Sequence, residues 1–129
     1  MKLPVTTSSV QVRFSDTDAM GHISSGAYVS YMEVGRADFF YAINNCYEGE
    51  VPYNAVVNIN IDYLGEVIFG ADVSVVSWCS RMGNKSMTIS HEIIADGRVA
   101  SRGHITVAGF DLKTRKGCQL PADWEESER

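Results

Sequence analysis

The sequence predicts an α+β domain in which an antiparallel sheet curls around one long helix. Three features predict it. A single stretch near residues 25–43 carries apolar residues at helical spacing, the segments after it alternate with a period of two, and hairpin turn signals join them.

Residues 5–14 end in an alternation of Val10, Val12 and Phe14, which predicts a first strand. The helix follows a polar loop. Ser24 or Ser25 is its expected N-cap, because a serine hydroxyl can accept from the free amides of a first turn. Tyr28, Tyr31, Met32, Gly35, Phe39, Ala42 and Ile43 lie on one face, and Val34 and Phe40 widen it. Only a narrow stripe around Ser30, Glu33 and Asn44 stays polar, so the helix is expected to be surrounded by other elements. Four long strands are then expected. Residues 54–64 set Val57, Ile59, Ile61 and Tyr63 against Asn58, Asn60 and Asp62, and residues 71–80 alternate through Val73 and Val75. A turn at Met82-Gly83-Asn84 leads to 85–95, and Asp96-Gly97 turns the chain into 98–110. This gives five strands in a single domain over 1–129, with a core of about 5–121 and a polar tail expected to be loose beyond Trp124.

Composition narrows the function classes. The 129 residues are 45% hydrophobic and 21% charged, which suits one soluble globular domain. The net charge of −5 argues against nucleic-acid and anionic-membrane partners, so an anionic ligand needs a local basic patch. No segment is long and apolar enough to span a membrane, and the first residues lack a signal-peptide pattern; a cytoplasmic location is the expectation. Cys46, Cys79 and Cys118 are odd in number and widely spaced, which predicts reduced structural thiols.

The chemistry concentrates in Asp16-Thr17-Asp18-Ala19-Met20-Gly21-His22, just before the helix. A helix start offers free N–H groups and a positive field, and a carboxylate beside such donors can serve a hydrolytic site. Several chemistries fit two aspartates and a histidine. A metal site is disfavoured because no second ligand cluster lies elsewhere. Phosphatase chemistry of the Asp-x-Asp-x-Thr type needs a following Thr and a doubly wound sheet, and both are missing. No cysteine sits near the motif, so a Cys–His pair is unsupported.

The segment Val12-Arg13-Phe14-Ser15-Asp16-Thr17-Asp18-Ala19-Met20-Gly21-His22-Ile23, followed by Tyr28, Tyr31, Glu33 and Arg36, resembles the 4-hydroxybenzoyl-CoA thioesterase family of acyl-CoA thioesterases. Ile61-Asp62-Tyr63, Phe69-Gly70-Ala71-Asp72, Arg81 to Ser86, Phe110-Asp111 and Leu120-Pro121 agree in order. One departure is that Ser24-Ser25 stands where the family carries Asn-Asn. The resemblance implies the hotdog fold and hydrolysis of an acyl-CoA to a free acid and CoA, with no metal or other cofactor. It makes Asp18 the nucleophile or general base and the Ser25 amide the oxyanion donor. His22 would polarise water or the leaving thiolate, or else fix the loop. Asp16 is read as a structural residue closing the loop. Tyr28 would border the acyl pocket. Arg81, Lys85 and Ser86, around a Gly-Asn turn, would bind the CoA phosphates; Lys113, Arg115 and Lys116 read as a charged tail turn. A homodimer or homotetramer with sites at subunit interfaces is implied. The rival reading is a non-catalytic hotdog module that binds acyl-CoA or an acyl carrier protein; a hydratase would need a later Asp/His motif.

Overall fold

The computed structural model describes residues 1–129. Strand β1 covers Thr6–Val10, helix α1 Ser25–Cys46, β2 Tyr53–Tyr63, β3 Val73–Met82, β4 Ser86–Ala95, β5 Arg98–Asp111 and β6 Lys116–Gly117. All pairings are antiparallel, in the order β1-β3-β4-β5-β2, and β6 pairs with β5 beyond the start of β4. This is the hotdog arrangement, one helix against one curled antiparallel sheet. The strands number six rather than the five expected. The extra one is the two-residue β6, too short to show a period in the sequence.

The first strand is shorter than expected, because the chain leaves the sheet after Val10. Val12 is buried but Phe14 enters a 3-10 turn, Phe14–Asp16, and is 79% exposed. Helix α1 runs 22 residues without a proline and ends where the Tyr47 amide bonds back to the Ile43 carbonyl. It presents Tyr31, Met32, Gly35, Phe39 and Ile43 to the sheet. Met32, Phe39, Ile43, Val75, Ile89, Ile93 and Ile105 are fully buried, each such side chain contributing about 1.5–3 kcal/mol of transfer free energy. Gly35 allows the close approach: a Cβ there would lie 2.5 Å from Ser77 Oγ and 2.8 Å from Val75 Cγ1.

The expectation of a surrounded helix is corrected. Within one chain α1 packs on β1, β3 and β4, while Val34 and Tyr41 on its far side are exposed. The sheet of a single chain covers only one side of the helix. The hairpin between β4 and β5 is a two-residue loop in which Asp96 and Gly97 both take positive φ, as the Asp-Gly signal demands.

The tail is also corrected. Beyond Trp124 it docks along β3 past the end of β1. Ser127 donates its amide to the Cys79 carbonyl, and its hydroxyl accepts from the Cys79 amide. Arg129 then stacks over Trp78 and pairs with Glu92 at 2.6 Å. Its polar composition hid this, because the attachment runs through backbone groups and a strand edge rather than an apolar period.

Candidate active site

The Asp-rich loop is a miniature hairpin that delivers the chain into α1. Thr17 bridges Ile23, the Asp18 amide donates to the His22 carbonyl at 2.7 Å, and the Ser24 amide donates to the Asp16 carbonyl at 2.9 Å. At the tip the Gly21 amide closes a turn onto the Asp18 carbonyl, and Gly21 takes φ +80°, a conformation that favours glycine. Asp18 Oδ1 accepts from the Met20 amide at 2.8 Å and the His22 amide at 3.3 Å, while Oδ2 makes no hydrogen bond within the chain. One oxygen therefore builds the turn and the other has no partner within the chain. Asp18 is exposed.

Ser24 is the N-cap and α1 begins at Ser25, but the Ser24 side chain makes no capping bond. The amides of Ser25 and Gly26 donate to nothing in the chain; the first amide of the helix to find a partner is Ala27, on the Ser24 carbonyl. Two donors and the positive end of a 22-residue helix thus stay open beside the Asp18 loop.

Asp16 does not close the loop by local turns alone. Its Oδ2 accepts from the Arg13 amide at 2.9 Å and from the Tyr31 hydroxyl at 2.8 Å, tying the loop to the second turn of α1. The Arg13 amide, followed by the Tyr31 hydroxyl, holds the Asp16 carboxyl below the usual carboxylate range. Burial, reinforced by Asp16, pushes the Tyr31 phenol well above its ordinary value.

His22 is half-buried, with Nε2 2.9 Å from Glu66 Oε2. Tyr28 is buried and donates to the Gly65 carbonyl at 2.8 Å; its ring meets Tyr63 edge-on at 4.9 Å. Tyr63 in turn donates to the Ser25 carbonyl at 3.3 Å, over the helix start. Gly65 and Glu66 carry no signal in the sequence, since the link after β2 has no period to read. Tyr63 is visible there only as one apolar position in an alternation.

Arg81, Lys85 and Ser86 lie elsewhere. The Asp18 loop bridges Ile68, just before β3, whereas Arg81 lies next to the last residue of β3, about 30 Å away at the usual rise per strand residue. At that far end Arg81 donates to Ser86 Oγ at 2.9 Å and to Thr88 Oγ1 at 3.2 Å. Arg81 and Lys85 have no carboxylate partner, nor do Lys113, Arg115 and Lys116, which gather at the same end around β6. Lys2, Arg13, Arg36, Arg102 and Arg129 are all paired, and Arg98, at the Asp18 end, donates to the Glu66 carbonyl at 2.7 Å instead of to a carboxylate. An open hollow of about 630 Å³ lies beside this cationic end, with Tyr47, Tyr53, Phe110 and Lys113 in its wall.

The model of the thioesterase-like superfamily matches residues 12–127. The chain belongs to that superfamily. The match takes in both the Asp18 loop and the Arg81–Ser86 hairpin of this thioesterase-like chain. Among its relatives is the long-chain acyl-CoA thioesterase FadM of Escherichia coli (strain K12), 26% identical over 122 residues, covering 91% of this chain and 92% of the relative. A thioesterase of Thermus thermophilus, solved with coenzyme A and Zn, is 29% identical with a TM-score of 0.80 and covers 93% of each chain. The DHNA-CoA thioesterase of Staphylococcus aureus shares the fold at a TM-score of 0.75 and 23% identity, over 92% of this chain and 81% of that one.

Proposed function

We propose that the protein hydrolyses acyl-CoA thioesters to a carboxylic acid and CoA. The observation that carries this reading is the Asp18 carboxylate, with one oxygen unbonded, on a loop that ends at two unbonded helix amides. Acting as general base, Asp18 takes a proton from water while the water oxygen attacks the thioester carbonyl carbon. The carbonyl oxygen becomes an oxyanion on the Ser25 and Gly26 amides, and its collapse expels the CoA thiolate. Acting as nucleophile, Asp18 would attack the carbonyl carbon and expel the CoA thiolate to form a mixed anhydride, which water then cleaves to the free acid and the Asp18 carboxylate. Each oxyanion donor contributes on the order of 10²–10³ in rate. His22, held by Glu66, orients the loop or a water, and Tyr28 backs the helix start. The reading invokes no metal or other cofactor.

The cationic end fits the CoA phosphates in an acidic protein, but it lies a sheet length from Asp18 of the same chain. A second copy removes that conflict. Strand β2 is an unpaired edge of 11 residues with one charge, Asp62, and Val57, Ile59 and Tyr63 on it are exposed. Long apolar edges of this kind are normally covered. Two β2 edges paired antiparallel about a two-fold axis would set the Tyr63 end of one copy beside the Tyr53 end of the other. Each Asp18 loop would then face the partner's cations and hollow. The names of the relatives, and the CoA bound in the Thermus protein, support the substrate class. A cytoplasmic place for the protein belongs to the same reading.

The test is thiol release from acyl-CoAs of graded chain length together with benzoyl- and phenylacetyl-CoA, run beside acyl carrier protein thioesters. Turnover of at least one acyl-CoA is expected, weakened by Arg81→Ala and Lys85→Ala through KM. Binding of acyl-CoA without turnover would favour the non-catalytic module. Preference for carrier-protein thioesters with both cations dispensable would overturn the CoA assignment.

A further inference from the structure

The geometry points to Tyr31 and Asp16 as positioning residues that set the Asp18 carboxylate against the open amides of α1. This inference rests on the thioesterase reading above. Asp18 rides on the miniature hairpin of residues 16–24, and the two donors ride on the helix. The distance between carboxylate and donors is therefore the distance between two separate elements. The covalent link through Ile23 and Ser24 joins them at one corner only, beside the bond from the Ser24 amide to the Asp16 carbonyl. The hairpin is also held on the 65–69 segment, through the Ile23 amide on the Val67 carbonyl and the Phe69 amide on the Gly21 carbonyl, but its direct side-chain fastening to the helix is the Tyr31 hydroxyl, 2.8 Å from Asp16 Oδ2, which reaches the start of the hairpin from the helical turn after the donors. The same carboxylate oxygen holds the Arg13 amide at 2.9 Å, so the hairpin's entry is fixed with it. Tyr31 is 4% exposed and its ring is wedged into the core, which leaves its hydroxyl little freedom to follow a shifted loop. Asp16 in turn is mostly covered, so water replaces this bond poorly.

An attacking group misplaced by about 1 Å loses on the order of a hundredfold in rate. Tyr31→Phe keeps the ring and removes only the bond. Its kcat should fall about tenfold to a hundredfold, with KM and CoA binding near wild type. Asp16→Ala should lose at least as much, and Asp16→Asn, which keeps an acceptor for Tyr31 and Arg13, should recover most of that loss. Wild type and Asp18→Asn are measured in parallel. If Asp18→Asn is inactive while Tyr31→Phe keeps wild-type kcat and only its Tm drops, the pair is structural and the inference is overturned. If Asp18→Asn works as fast as wild type, the role of Asp18 falls and the inference with it, whereas a wild type that turns over no acyl-CoA removes the thioesterase reading itself. Should Asp16→Ala fail to fold, the near-isosteric Tyr31→Phe still decides.

Discussion

Single atoms carry most of the argument at the site. Asp18 spends Oδ1 on two loop amides and leaves Oδ2 unbonded, so the residue that shapes the loop is also the one proposed to react. A different economy holds behind the helix. His91 is buried under Gly35 with Nδ1 2.7 Å from Ser77 Oγ, and its Nε2 has no partner. Burial first, then the nearby Arg36 and His104, pushes its pKa down to about 3. The folded chain thus holds His91 neutral where the unfolded chain, with a histidine near 6.5, would bind a proton. The stabilising contribution is full above about pH 6.5 and is lost as pH falls from there toward 3. Urea unfolding between pH 4 and 7 should show wild-type stability falling with acid by up to about 1.4 kcal/mol per pH unit more than His91→Asn. Equal slopes for the two proteins would contradict this.

Elements differ in how openly the sequence announces them. The Asp96-Gly97 hairpin, the long strands and α1 from Ser25 were legible, because each follows a local rule of turn chemistry or period. What was not legible depends on partners remote in sequence. The exit of Phe14 from β1 is set by Thr17 and Asp16 bonding back to Phe14 and Arg13. The tail's grip on β3 uses backbone groups of Cys79 that β1 leaves unpaired. In the site, the loop and the helix start were visible, whereas the Tyr31–Asp16 bond and the Glu66 clamp on His22 needed three dimensions. The edge strand β2 carries its own prediction. Wild type should sediment at twice 14.2 kDa or more, and Ile59→Lys, which sets a charge among the exposed apolar residues of that edge, should shift it toward 14.2 kDa. A wild-type monomer, or an unshifted variant, would remove β2 as the interface.

On the scale of the whole molecule, charge and chemistry are segregated. The carboxylate and helix amides occupy one end of the sheet, where Arg98 is held on the Glu66 carbonyl, and the cations Arg81, Lys85, Lys113, Arg115 and Lys116, without carboxylate partners, occupy the other. The sequence placed these groups in one functional list without showing that a strand's length divides them. A single chain covers its helix on one side and leaves β2 open, and these are the gaps that the proposed second copy would fill, bringing the two ends together across a two-fold axis. The claim on which all of this depends is that the Asp18 carboxylate drives thioester cleavage. Its most direct test is kcat for thiol release by Asp18→Asn on the best acyl-CoA, with binding of free CoA measured in the same samples. The account predicts a loss of kcat of at least about a hundredfold with CoA binding intact. Wild-type kcat in that variant would contradict it.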